Sequence, residues 1–225
     1  MSSLAVSNDE TNQSPISRRF LEGDKPAIFS DIYQQDCNIV AWRRELEPGL
    51  QQVVDEFLKS NRGFQASMTL SPQDAFASVY KALGSSELTA PLSEDIAELV
   101  DMFCCLFDLG QAGLRITALD KAMCPKFHVD KVPCRLVTTY QGAATEWLPH
   151  NVIDRSKLGH GSEGKADEES GLFPELNDIQ QLTFGDVALL KGELWEGNEG
   201  AGLVHRSPSL SAGERRLLLT LDAIS

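Results

Sequence analysis

Phe127-His128-Val129-Asp130 sets an imidazole and a carboxylate two residues apart. On an extended chain, residues at that spacing point to one face, so both groups can converge on a single cation while Val129 packs the other way. A divalent site needs a third donor. His205, which follows the strand-like run Gly202-Leu203-Val204, is the best placed of the remaining histidines. Two imidazoles and one carboxylate would form a facial set that leaves coordination positions open for other ligands. An isolated His-x-Asp arises often by chance, so its meaning depends on what surrounds it. His150 and His160 lie beside or within a polar segment and read as surface donors. Cys124, four residues before His128, is a rival ligand, because thiolate, imidazole and carboxylate together suit zinc. As a small buried hydrophobe it would need no such role.

Two other stretches carry polar groups that a site could use. Between the His-x-Asp and His205 runs Phe184-Gly185-Asp186-Val187-Ala188-Leu189-Leu190-Lys191-Gly192, a turn feeding an apolar strand. After His205 come Arg206 to Arg216 and then the apolar run Leu217–Leu219, and an arginine at the mouth of a buried strand must find an anion. Arg135 and Thr138 follow the His-x-Asp on one strand-like run, an odd number of residues apart, so they share a face only if a bulge intervenes. Thr139, Tyr140, Glu146 and Trp147 could shape the mouth of a pocket, although Tyr and Trp more often sit half-buried with a satisfied polar tip. The Gly159–Gly164 run matches GxGxxG literally, yet it neither follows a strand nor opens a helix, and Asp167, Glu168 and Glu169 would repel phosphate. P-loop, GxSxG and HExxH signatures are absent.

The elements that must position these groups fall into two halves. Leu50, Val53, Val54, Phe57 and Leu58 recur at helical spacing after Pro48. A second helix is expected from Ser71, with Ser71 as cap, Pro72 in the first turn and Asp74 at the positive end of the dipole, and Gly84 stopping it. A third runs from Ser93 to about Phe107 before Gly110. After Gly113 the pattern turns to short β runs: Leu114–Leu119, Pro133–Tyr140, Val187–Lys191 and Leu217–Leu221. The expected class is α+β, with a helical first half and a strand-rich second half. Residues 1 to 25 read as a flexible leader, 26 to 225 as a single domain, and about 155 to 171 as a mobile insertion between strands.

The formal charge of −13 argues against a nucleic-acid surface, which needs clustered lysines and arginines, so nucleic acid is not an expected partner. No apolar run is long enough to cross a membrane, and the polar N-terminus has no apolar signal core. Five cysteines without a CxxC pair read as reduced thiols, and the expected location is the cytoplasm.

The order of the His-x-Asp, "GDVALLKG" and "HRSPSLSAGERRLLLT" resembles the iron(II)- and 2-oxoglutarate-dependent oxygenases, especially the phytanoyl-CoA hydroxylase-like branch. That resemblance covers the β half. It implies N-terminal helices packed on a double-stranded β-helix of the jelly-roll, cupin-like kind, with iron held by His128, Asp130 and His205. In that superfamily an arginine ten or eleven residues after the distal histidine clamps the far carboxylate of 2-oxoglutarate, which Arg215 or Arg216 would match. Arg135 and Thr138 would line the cosubstrate pocket. From about residue 27 onward, "FHVDKVPCRLVTTYQGAATEWLP" and "GLVHRSP" also resemble the bacterial domain-of-unknown-function family 1826. Members of that family are encoded near zinc-responsive, GTP-dependent metallochaperones, which implies a link to metal homeostasis. Two functions follow as expectations: a hydroxylase-type dioxygenase acting on a small molecule with Fe(II) and 2-oxoglutarate, or a non-catalytic protein binding zinc or another divalent metal.

Overall fold

The computed structural model describes residues 17 to 224. Most of the expected leader lies outside them. Its last part does not: Arg19–Gly23 forms strand β1, paired in parallel with β2, Cys37–Trp42. The expectation of a leader out to residue 25 is therefore corrected at this edge. A six-residue run such as Cys-Asn-Ile-Val-Ala-Trp, buried on both faces, shows no alternation and gives no periodic signal.

Helix α1 spans Pro48–Ser60 and buries Leu50, Val54, Phe57 and Leu58. Strand β3, Gln65–Leu70, is followed by α2, Pro72–Ala82, whose Ser71 side chain accepts a hydrogen bond from the Asp74 amide as a cap should. Helix α3, Ala90–Phe107, starts a turn earlier than the pattern suggests and ends on Asp108 in the left-handed region. The first half is thus not purely helical, since β1, β2 and β3 interrupt it.

Strands β4 (Ala112–Leu119), β5 (Cys134–Gln141), β8 (Val187–Lys191) and β10 (Arg216–Ala223) complete a seven-stranded sheet in the order β1-β2-β8-β5-β10-β4-β3. The short strands β6 (Glu146–Trp147), β7 (Gln180–Gln181) and β9 (His205–Arg206) form a second sheet of three, in the order β7-β6-β9. The class is mixed α+β.

Alternation along the central strands sorts the side chains into two cores. Leu114, Ile116, Leu136, Tyr140, Leu217, Leu219 and Leu221 join the buried faces of α1, α2 and α3. Val137, Ala188, Leu190 and Leu218 point the opposite way and meet Trp147, Leu182 and Leu203 around the small sheet. Where β5 meets β10, pairing passes from Thr139–Leu218 to Gln141–Leu217, so Tyr140 is an extra residue in the ladder. That bulge lies beyond Thr138 and leaves the phase from Arg135 to Thr139 undisturbed.

The segment expected as a mobile insertion is instead built of short helical turns, ending in the one-turn helix α4, Asp167–Ser170. Asp167, Ser170, Leu172 and Phe173 are buried. Gly159–Gly164 lies within those turns and precedes no nucleotide-binding helix.

Candidate metal centre

His128, Asp130 and His205 come together from distant parts of the chain. One ligand atom from each lies within 4.8 Å of the others, a spread that one cation can bridge. The backbone enforces this. His128 donates its amide to the His205 carbonyl at 3.0 Å and accepts the His205 amide at 3.0 Å, forming an isolated antiparallel bridge. His205 also pairs with Trp147 in the small sheet. In antiparallel pairs, directly opposed side chains rise on the same face, and the two rings stand 4.7 Å apart.

Ring orientation is set by the peptide oxygens. The His128 Nδ1 lies 2.9 Å from the Lys126 carbonyl and the His205 Nδ1 lies 3.2 Å from the Leu203 carbonyl. A carbonyl can only accept, so each Nδ1 carries the proton and each Nε2 keeps its lone pair. The His205 Nε2 lies 3.3 Å and the His128 Nε2 3.8 Å from Asp130 carboxylate oxygens. Burial, together with the charge of His205, lowers the His128 pKa and favours the neutral ring that a metal requires. Burial pushes the Asp130 carboxyl up, but the neighbouring imidazoles and the Arg135 guanidinium outweigh it and hold the group at about 2.

The surrounding chain clamps the ligands. Phe127, Leu148 and Val204 pack with Leu172 and Phe173 directly behind the two histidines. The Phe127 amide donates to Asp167 at 2.7 Å. Arg206 reaches Glu146 at 2.6 Å and Glu168 at 2.7 Å while stacking over the Phe127 ring. Residues from the supposed insertion thus brace the site. On the other side, a Cβ at Gly192 would stand 2.0 Å from the Val132 carbonyl oxygen and 2.7 Å from that of Asp130, so only glycine lets the Asp130 loop lie this close.

Arg135 proves to be a support for Asp130. Its Nη1 donates to Asp130 at 2.6 Å, and Nε and Nη2 donate to the two oxygens of Asp222 at 2.7 and 2.8 Å. Asp222 fixes the guanidinium in place, so Arg135 both orients the Asp130 carboxylate and, by its charge, helps keep it ionised. Arg135→Gln is expected to weaken divalent-metal affinity by roughly 10–100-fold, the usual cost of losing such a partner. Calorimetric titration with Mn(II) measures this, and an affinity within twofold of wild type would remove Arg135 from that role.

A solvent-open cleft runs from the two histidines along the sheet to Arg216. Arg216 is 1% exposed and is held by three hydroxyls: Thr139 at 3.1 Å, Thr145 at 2.8 Å and Ser207 at 2.9 Å. It has no carboxylate partner among the described residues. Burial pulls its pKa down to about 10. A guanidinium kept out of water without a counter-charge is costly unless an anion joins it.

The other expected positions divide. Arg215 faces away, donating to the Leu58 carbonyl on α1. Thr138 is a correction: with Leu136 and Tyr140 on either side facing the helices, it points away from the cleft, and Thr139 takes its place beside Arg216. Cys124 lines the cleft but is not part of the three-ligand cluster. His150 contacts Arg155, and His160 sits on a surface turn. Sequence reasoning passed over Thr145, Asp167, Ser207 and Asp222. Of these only Asp222 had a usable signal, its alternation with Thr220 and Leu218 along β10.

The family signature described as "Protein of unknown function (DUF1826)" matches residues 23–222. The chain belongs to this family. Curated proteins offer no match to it. In fold, this DUF1826 protein is similar to the dioxygenase for auxin oxidation from rice, at 12% identity and a TM-score of 0.50, over 92% of this chain and 82% of that one. It is likewise similar to a full-length Neurospora crassa protein solved in complex with alpha-KG and thymine, at 8% identity and a TM-score of 0.50, over 92% of this chain and 85% of that one. At such identities the likeness concerns the path of the chain. No helix among the described residues is long and apolar enough to cross a membrane.

Proposed function

We propose that this protein is an Fe(II)- and 2-oxoglutarate-dependent dioxygenase of the hydroxylase type, its two sheets forming a double-stranded β-helix. The observation that carries this reading is the pairing, in one cleft, of a His128/Asp130/His205 donor set with the uncompensated guanidinium of Arg216. A dicarboxylate with a metal-binding keto acid at one end suits both features at once. The donor set fits iron, since two neutral imidazoles and a carboxylate leave other coordination positions free.

When bound, iron and 2-oxoglutarate supply the oxidising chemistry. The chain's own work is to hold and orient. His128 and His205 present their Nε2 lone pairs, Asp130 offers a carboxylate kept ionised, and Arg216 receives the distal carboxylate through its planar fork. Thr139, Thr145 and Ser207 keep that fork rigid before the anion arrives, so little ordering is left for binding to supply. Free thiols at all five cysteines fit a reducing cytoplasm.

The alternative is a zinc-binding protein serving metal homeostasis beside a GTP-dependent metallochaperone. It gives no role to Arg216, and Cys124 is not among the clustered ligands. The two readings part in an anaerobic titration. The oxygenase reading expects one equivalent of Fe(II), then a visible charge-transfer band on adding 2-oxoglutarate. Tight zinc binding with no response to 2-oxoglutarate would overturn it.

A further inference from the structure

Beyond the His/Asp cluster and Arg216, the cleft holds one more cation without a partner. Four arginines line it: Arg115, Arg135, Arg206 and Arg216. Arg135 is matched by Asp130 and Asp222, and Arg206 by Glu146 and Glu168. Arg115 lies on β4, directly across from Thr220 of β10 and Ser67 of β3. The nearest acid in the sheet is Asp222, its diagonal neighbour, and both oxygens of that carboxylate are taken by Arg135. Arg115 is exposed where it lines the cleft and, among the described residues, has no carboxylate partner.

A second group points the same way. Thr117 is two residues along β4 and so on the same face, is 6% exposed, lines the cleft, and has a buried hydroxyl with no hydrogen-bond partner. A buried hydroxyl without a partner costs free energy that a ligand can return.

Resting on the oxygenase reading, we propose that the primary substrate is a small organic anion whose oxyanion group, a carboxylate or a phosphate monoester, is bound by Arg115 with the Thr117 hydroxyl. A guanidinium donating two charge-assisted bonds, next to a hydroxyl, recognises either group in the same way. Arg115 is a specificity residue. It leaves metal and 2-oxoglutarate binding to the groups already described.

The full-length protein, loaded anaerobically with Fe(II) and 2-oxoglutarate, is titrated with a panel of small carboxylic acids and phosphate monoesters, each beside its neutral amide or alcohol. At least one acid or ester is expected to bind about tenfold or more tightly than its neutral counterpart, the scale of a charge-assisted bond. Which of the two classes shows this identifies the anion. Arg115→Gln is expected to erase the preference, Arg115→Lys to keep part of it, and both to bind Fe(II) and 2-oxoglutarate as wild type does. If no panel member binds, if acids and neutral partners bind alike, or if Arg115→Gln retains the preference, the proposal is overturned. If 2-oxoglutarate itself fails to bind, the oxygenase reading falls separately, and the panel is then read on the metal-loaded protein alone.

Discussion

Arg216→Met should abolish measurable 2-oxoglutarate binding, lowering affinity by roughly 30-fold to several thousand-fold, while leaving Fe(II) binding unchanged. That range corresponds to the roughly 2–5 kcal/mol lost when one member of a buried charged pair is truncated. The same change should not lower the thermal stability of the protein without cosubstrate. In that state the guanidinium is buried against three neutral hydroxyls and no carboxylate. Removing an uncompensated interior charge offsets the loss of its hydrogen bonds, and the freed hydroxyls face a cleft that water can enter. The two effects have opposite signs, which is what separates a ligand-binding cation from a structural one. Calorimetry with 2-oxoglutarate and a melting curve on the same sample decide it. If Arg216→Met unfolds the protein while 2-oxoglutarate binding to wild type is undetectable, Arg216 is structural.

Alanine at His205 should weaken Fe(II) or Mn(II) binding by more than ~100-fold, beyond the roughly 10–100-fold expected for a supporting residue. The side chain supplies one of the three donors of the cluster, and its Nε2 lies 3.3 Å from Asp130. The backbone bonds to His128 and Trp147 survive the change, so the fold should persist. His128→Ala should behave in the same way. His150→Ala should leave metal binding untouched, because that ring sits with Arg155 outside the cluster. If all three variants bind metal like wild type, the cluster is not the metal site.

How far the sequence carried depended on what alternation could show. His128 and Asp130 were legible because two residues apart on a strand is one face. The choice between Arg215 and Arg216 stayed open at a run of three leucines, which hides the phase of β10. Counting back in twos from the polar Asp222 and Thr220 resolves it in favour of Arg216, which lies on the same face. The same count from Arg135 reaches Thr139, where Thr138 had been expected. The mixed α+β class was readable, whereas β1, β2 and β3 were not: they are short, two of them lie at sheet edges, and β2 is buried on both faces. The bracing of the site by Asp167 and Glu168 was invisible for a different reason. Polar, glycine-rich composition describes a loop in isolation, and these carboxylates become fixed only through Phe127 and Arg206, far away along the chain.

The backbone bridge between His128 and His205 has a bearing on how the site is assembled. Bringing together two groups about 75 residues apart carries a loop-closure penalty. Here two peptide hydrogen bonds and the Phe127–Val204 packing share in meeting that penalty, so it does not fall on metal coordination alone. In a zinc finger, by contrast, the arrival of the metal drives folding.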